Sequence, residues 1–287
     1  MNENICQNCQ AELNKEFCGN CGEKHFETDN VSIFSLFKHI LISITDVDGK
    51  FFTSLKLLAI KPGQLTLDYL NGIRKYRLYP FQLFIFINIL YFFVVSITHQ
   101  DTFVTPLKVH LSAENFFHNK IAKNMVDDRL KTSGETFKEF EAKFNNKIES
   151  QSKILIFIMI PILSLLMSLM FFRINHIGIK SLIYATHLFS FLLLLLSIII
   201  VVFYLLSYLW LLLFDSYGHQ YFSNDAVYSV IVLSLLLIYL FLSAKRVFAG
   251  NLWWLSLKAL LLTFAIYWSL LIYRSILFFT SFYSVSI

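Results

Sequence analysis

The sequence predicts an all-α polytopic membrane protein with about five transmembrane helices and a small N-terminal four-cysteine ribbon. The 287 residues are 56% hydrophobic and only 15% charged, whereas a soluble domain normally holds about 25% charged residues. Five apolar runs are long enough to cross a hydrocarbon core, which needs roughly 20 helical residues. All four cysteines lie between Cys6 and Cys21, before the first of these runs.

Charge and composition narrow the classes of function. The formal net charge of +5 comes from 24 Lys and Arg against 19 Asp and Glu, and the basic residues lie mostly between the apolar runs. This distribution predicts the lipid bilayer as a partner and no nucleic acid. The sequence has no G-x-G-x-x-G or P-loop motif, which excludes the common nucleotide-binding folds. Since Met1 to Asn30 contain no long apolar stretch, we expect no cleavable signal peptide.

The cysteines form the strongest local motif, two C-x-x-C pairs separated by a short spacer. Each pair presents two thiolates from one turn, and two such turns close a tetrahedral site of the kind that Zn²⁺ prefers. We therefore predict a zinc ribbon over residues 1–29 with one structural zinc per chain. The predicted ligands are Cys6, Cys9, Cys18 and Cys21. A redox dithiol pair, disulfides and substitution of one ligand by His25 are the alternatives, and a closed four-thiolate site has no open position for catalysis.

Residues 30–80 are predicted to form cytoplasmic interfacial helices. The stretches Val31–Ile44 and Lys50–Ile60 are apolar but too short to cross a bilayer. A turn at Pro62-Gly63 and a helix end at Gly72 follow. Basic residues come directly before the first apolar run, where they favour an anchor at the inner membrane surface; the alternative is contact with a lipid headgroup or another anion. These residues are Arg74, Lys75 and Arg77.

The transmembrane domain is predicted over residues 81–287. Its apolar runs are Phe81–Thr98, Ile154–Phe172, Leu182–Phe214, Ala226–Ala244 and Ala259–Phe282. The third run is too long for a straight crossing, so we expect either one tilted helix or a broken one.

The distribution of basic residues predicts the orientation. Lys and Arg precede the first run and lie between the second and third and between the fourth and fifth, whereas the connection Asp215–Asp225 has no basic residue. Because cytoplasmic loops carry an excess of Lys and Arg, we expect the N-terminus in the cytoplasm and the C-terminus outside. Residues 99–153 then form an external loop.

This external loop contains an amphipathic helix pattern. Phe137, Phe140, Phe144 and Ile148 share one helical face, and Thr136 is spaced from Glu139 as in a capping box. We expect a helix that runs into the second span and lies on the membrane surface or on other parts of the loop. The alternative is an external element that binds a ligand or a partner.

Two ionisable residues within the apolar runs define a candidate intramembrane polar site, because charge in lipid is costly. His187 lies near the start of the third run, and we favour a packing histidine over a proton or ligand site. Arg274 lies deep in the fifth run, where it can extend outward or pair with Asp215. Asn88 and Pro161 are candidates for a helix contact and a kink.

The motifs together resemble a family of bacterial membrane proteins, the domain of unknown function 3667. The resemblance rests on the four-cysteine ribbon, Pro62-Gly63, the pattern from Tyr69 to Tyr76 with Gly72 and Arg74, Pro80, and the stretches Tyr184–Phe189 and Tyr239–Gly250. It implies the bacterial inner membrane as location and a ribbon joined to a polytopic domain. It implies no established activity.

The sequence leans away from an enzyme. It contains no H-E-x-x-H or G-x-S-x-G motif and no paired carboxylates within the apolar runs. We therefore predict a non-enzymatic scaffold, adaptor or sensor whose ribbon binds a cytoplasmic protein partner. The alternatives are a small-solute or lipid transporter acting as a homo-oligomer, and a membrane enzyme that modifies lipid headgroups.

Overall fold

The structure is a computed structural model that describes residues 5–6, 8–12, 17–22, 49–114, 116–170, 178–214, 225–248 and 250–285. Regular structure in these residues is helical, apart from one isolated antiparallel bridge between Ile5 and Glu12. The predicted all-α fold is confirmed. The predicted interfacial segment Val31–Ile44 lies outside the described residues.

The α-helices of the described residues are numbered in chain order. They are α1 (Lys50–Ile60), α2 (Gln64–Leu70), α3 (Pro80–Thr98), α4 (Leu107–Ser112), α5 (Asn119–Ser133), α6 (Phe137–Leu155), α7 (Met159–Met170), α8 (Ile179–Phe214), α9 (Asp225–Val247) and α10 (Leu252–Val285).

Five helical segments of the described chain are long and apolar enough to cross a membrane, as expected of an integral membrane protein. They are Pro80–Thr98, Phe137–Leu169, Ile179–Phe214, Val227–Val247 and Leu252–Val285. Each contains most of one predicted run. The third run is a single uninterrupted helix of 36 residues, so the alternative of a broken helix is excluded.

The second span begins with the predicted amphipathic helix. The Thr136 backbone N–H donates to Glu139 Oε2 at 2.9 Å, and the Glu139 N–H donates to Thr136 Oγ1 at 3.4 Å, which completes the predicted capping box. A 3₁₀ turn at Ile156–Ile158 separates α6 from α7. Pro161 explains this turn, because proline lacks an N–H and its ring excludes the carbonyl four residues earlier, that of Phe157.

The chain divides into two compact units. Unit 1 contains Met1–Thr98 and Ser164–Thr263, and unit 2 contains His99–Leu163 and Phe264–Ile287. The domain boundaries predicted from the sequence, at residues 29 and 80, stay predictions.

Unit 1 is built on the packing of α3 along α8. The rings of Phe84 and Phe189 stack at 5.7 Å between these helices. The first half of α8, from Ile183 to Ile200, is almost entirely buried, and α1 and α2 both pack against this helix. The buried half of α8 therefore supports the short helices that precede the first span.

Unit 2 has an aromatic core between α6 and α10. Phe144 and Phe278 lie 5.6 Å apart, and Phe140 and Phe282 lie 5.8 Å apart, measured between ring centroids. The Tyr273 hydroxyl donates to the Ser152 carbonyl. The predicted apolar face of the amphipathic helix is thus packed within the protein, since Phe140, Phe144 and Ile148 are all buried.

Gly63 fixes the distance between α2 and α9 in unit 1. It precedes α2 with φ of 80°, a conformation that L side chains rarely adopt. A Cβ atom at this position would lie 2.9 Å from the Ser243 carbonyl oxygen in α9. Only glycine meets both requirements.

We predict that Gly63→Ala lowers the free energy of unfolding by about 2–4 kcal/mol, since strain and overpacking add. Gly134→Ala is the matched control, because Gly134 has φ of 69° and a Cβ atom at that position would have no other atom within 4 Å. It should cost only about 1–2 kcal/mol. Denaturation of the full chain in detergent measures the free energy of unfolding of both variants. Equal losses in the two variants would contradict the close contact between Gly63 and Ser243.

Candidate functional site

The two C-x-x-C pairs fold into equivalent turns. The Gln10 N–H donates to the Cys6 carbonyl at 2.8 Å, and the Gly22 N–H donates to the Cys18 carbonyl at 2.7 Å. Gln10 and Gly22 each follow the second cysteine of a pair and have φ of 60° and 71°. The repeated turn brings both sulfurs of each pair to the same side.

The four sulfurs form one compact group. Cys6 and Cys21 are 3.6 Å apart, and so are Cys9 and Cys18, measured between Sγ atoms. All four ligand atoms lie within 4.8 Å of one another. Zn–S bonds of about 2.3 Å in a tetrahedron place the sulfurs about 3.8 Å apart, so this group can hold a metal ion. None of these four cysteines is in a disulfide, and His25 lies outside the described residues.

The surroundings of the thiols act on Cys6 and Cys18 in opposite directions. Backbone N–H groups of Cys21 and Asn20 lower the pKa of Cys18, whereas burial raises the pKa of Cys6 to about 12. The Cys6 thiolate is therefore unfavourable without a positive charge beside it. Binding of a divalent metal must release protons from the group, which links metal affinity to pH.

The basic residues before the first span make contacts within the chain. The Arg74 side chain is buried, its Nε donates to the Tyr69 carbonyl at 3.1 Å, and its guanidinium lies 4.4 Å from the Tyr69 ring centroid. Arg77 pairs with Asp68 at 3.0 Å. Lys75 Nζ lies 5.6 Å from the Tyr76 ring centroid. Both arginines thus help to fold their own segment, and headgroup contact by the three residues stays a prediction.

His187 is buried in α8 and contacts α2. Its Nδ1 lies 3.0 Å from Thr66 Oγ1, and the Thr66 side chain is also buried. The other ring nitrogen, Nε2, has no hydrogen-bond partner in the described part of the chain. The structure therefore supplies a packing partner for one of the two ring nitrogens.

Further contacts join α9 to α8 and to the turn before α2. The Tyr184 hydroxyl bonds to Ser243 Oγ, and Arg246 Nη1 donates to the Pro62 carbonyl. The rings of Phe191 and Tyr239 stack with centroids 3.4 Å apart. We define the α2 clamp as these contacts together with the Thr66–His187 bond. Sequence reasoning missed Thr66 and Ser243, because small hydroxyl residues in apolar helices carry no distinctive pattern.

Arg274 has its partners in unit 2. Its Nη2 donates to the Thr102 carbonyl at 3.3 Å, and its guanidinium lies 5.6 Å from the Phe116 ring centroid. The predicted partner Asp215 lies outside the described residues. Sequence reasoning also missed two buried histidines of this unit, His110 and His118, because they lie in a polar loop at a spacing that fits no motif.

Comparison with known proteins identifies one family over part of the chain. Residues 48–92 match the family model described as Protein of unknown function (DUF3667). The resemblance predicted from the sequence is confirmed over this segment, which includes Pro62-Gly63, the pattern from Tyr69 to Tyr76, and Pro80. The ribbon lies outside the match and is not shown as a feature of that family. No curated protein and no solved structure matches the chain.

The segment matched to this family comprises α1, α2 and the first part of α3. It supplies Pro62 and Thr66 to the α2 clamp, and α8 and α9 supply their partners, His187 and Arg246, from outside the match. The polar groups of the Pro62-Gly63 turn and of α2 thus find their partners in α8 and α9, which lie later in the chain.

We predict that Thr66→Val lowers the free energy of unfolding by about 1–3 kcal/mol, because it leaves His187 Nδ1 buried without a partner. Thr66→Ser keeps the hydroxyl and should cost less than about 1 kcal/mol. Thermal unfolding of both variants in the same detergent measures the difference. Indistinguishable melting of the two variants would contradict a contribution from this hydrogen bond.

Proposed function

We propose that the protein is a non-enzymatic scaffold, adaptor or sensor of the bacterial inner membrane, whose zinc-loaded ribbon binds a cytoplasmic protein. The observation that carries this proposal is the compact group of four cysteine sulfurs, none of them in a disulfide. Four protein ligands complete a tetrahedron around zinc and leave no position for a substrate. A metal site of this kind stabilises a small module and presents its surface to a partner.

Zinc is the metal that best fits the donors. Four thiolates are soft ligands, and the tetrahedral spacing of their sulfurs suits Zn²⁺. The described part of the ribbon has one isolated bridge and a core made almost entirely of the cysteines themselves. A module of this size gains its stability from the bound metal.

The α2 clamp supports a structural role for the segment that follows the ribbon. Thr66 bonds to His187 of α8, and the Pro62 carbonyl accepts from Arg246 of α9, which favours a fixed platform over a mobile loop. The basic residues before the first span support a cytoplasmic location for this platform and an N-terminus on the same side. The ribbon would then present its partner-binding surface to the cytoplasm.

We predict that the purified full chain carries one zinc ion, and that Cys6→Ser with Cys18→Ser removes both the zinc and the co-purifying cytoplasmic partner. Elemental analysis and mass spectrometry of detergent-purified samples measure these outcomes. Gly19→Ala is the matched control, since nothing lies within 4 Å of a Cβ at this position in the second turn. This variant should keep both the zinc ion and the partner. A partner that remains after zinc is lost would contradict the docking role.

A second candidate function is transport of a small solute or lipid by a homo-oligomer. It is favoured by one observation, the buried Nε2 of His187 that has no partner in the described residues. Polar groups at such depth commonly mark a pathway for an ion or substrate.

On the transport candidate, liposomes containing the wild-type chain should pass a solute that liposomes with His187→Ala retain. Thr66→Ser is the control, because it keeps the hydroxyl beside Nδ1. Flux assays with protons and with small organic anions measure the effect. Impermeable wild-type liposomes would reject this candidate without affecting the scaffold proposal.

A further inference from the structure

Two buried histidines form a hydrogen-bonded pair in unit 2. His110 lies in α4 and His118 directly before α5, and their exposed fractions are 0% and 3%. His110 Nδ1 lies 3.0 Å from His118 Nε2, and His118 Nδ1 lies 2.8 Å from Ser275 Oγ in α10. The pair thus connects the loop before α5 to the last helix.

Aromatic rings surround this pair. Ring centroids within 5.5 Å of His110 or His118 belong to Phe116 and Phe278. Phe144 of α6 lies 6.1 Å from His110, and Phe279 of α10 lies 5.9 Å from His118. Such surroundings give little solvation to a charged imidazolium.

The charged groups near the pair do not compensate a positive charge on it. Arg274 faces it from α10 and adds a positive charge. The carboxylate of Asp101 accepts the backbone N–H groups of residues 103 and 104. Glu141 of α6 pairs at 3.0 Å with the largely exposed Lys108 of α4. Within the described chain, neither imidazole has a carboxylate at hydrogen-bond distance.

Proton uptake acts on this pair in two steps. In the neutral pair one facing nitrogen donates and the other accepts. A first proton keeps that hydrogen bond but places a cation among aromatic rings beside Arg274. A second proton turns both facing nitrogens into donors, so the bond between the rings is lost.

We propose that His110 and His118 form an acid-sensitive latch, which holds α4 and the start of α5 against α10 at neutral pH and releases them when the surroundings become acidic. The side chain of Asn119 holds the two ends of the released segment together. Its Nδ2 donates to the carbonyls of Leu111 and Ala113, at 2.8 and 3.0 Å. Residues 107–114 and 116–119 should therefore move together.

The pKa directions agree with this geometry. Burial, followed by the nearby His118 and Arg274, lowers the pKa of His110 to about 3, and burial lowers the pKa of His118. An exposed histidine titrates near 6.5. Below that pH the open segment takes up protons while the closed one does not, so the closed state loses stability as the pH falls from about 6.5 toward 3.

Trp268 provides a local reporter, because its ring stacks on Phe117 with centroids 5.1 Å apart. Replacing Trp210, Trp253 and Trp254 by Phe leaves it as the only tryptophan of the 4 in the chain. We expect the fluorescence of this variant in detergent to change reversibly between pH 7.5 and 4.5. Hydrogen exchange of residues 107–119, corrected for the intrinsic pH effect, should accelerate by at least about 10-fold over the same range.

The variants His110→Gln and His118→Gln, made together, should abolish this transition, because glutamine does not titrate. His99→Gln is the matched control, since His99 is an exposed histidine of the same unit, and it should leave the transition unchanged. A transition that survives in the double variant would overturn the proposal, as would a wild-type chain that stays closed at pH 4.5.

If the double variant fails to fold at pH 7.5, a measurement on the wild-type chain tests the proposal instead. Nuclear magnetic resonance of the wild-type chain with ¹⁵N-labelled histidine reports the protonation of each ring nitrogen. We expect two neutral, hydrogen-bonded imidazoles at pH 7. A charged imidazole at either position at that pH would refute the latch. None of these outcomes depends on zinc or on a partner of the ribbon.

Discussion

Much of this protein depends on one constraint, the need of buried polar groups to find partners within the chain. Where helices are apolar on all sides, an unpaired hydroxyl, amide or ring nitrogen costs several kcal/mol. In unit 1 this constraint joins Thr66 to His187 and Tyr184 to Ser243. In unit 2 it joins His118 to Ser275 and Arg274 to the Thr102 carbonyl. Apolar packing alone would leave many arrangements of such helices nearly equal in energy, whereas these few bonds select one.

The same constraint explains how far the sequence could be interpreted. The five spans follow from hydropathy, because a long apolar run has few other stable states in a membrane protein. The capping box at Thr136 and Glu139 follows from local spacing, since both partners lie within one helical turn. The grouping of the four sulfurs follows in the same way from two short turns.

Contacts between residues distant in sequence were beyond such reasoning. Thr66 and His187 are separated by 121 positions, and no local pattern in either helix specifies the other. Arg274 illustrates the same point. Its depth in the fifth run left open whether it extends outward or pairs with Asp215, and neither possibility points to the Thr102 carbonyl and the Phe116 ring beside which it lies. Only the folded arrangement of the helices decides among such partners.

The length of α8 has a consequence for the surrounding lipid. Its 36 residues extend about 54 Å, whereas a hydrocarbon core is about 30 Å thick and helices seldom tilt beyond about 40°. Its second half is mostly exposed and carries Tyr204, Tyr208 and Trp210, which are side chains suited to the headgroup level. Since even a tilt of about 40° leaves the helix longer than the core, part of α8 must extend beyond the hydrocarbon wherever it crosses a bilayer.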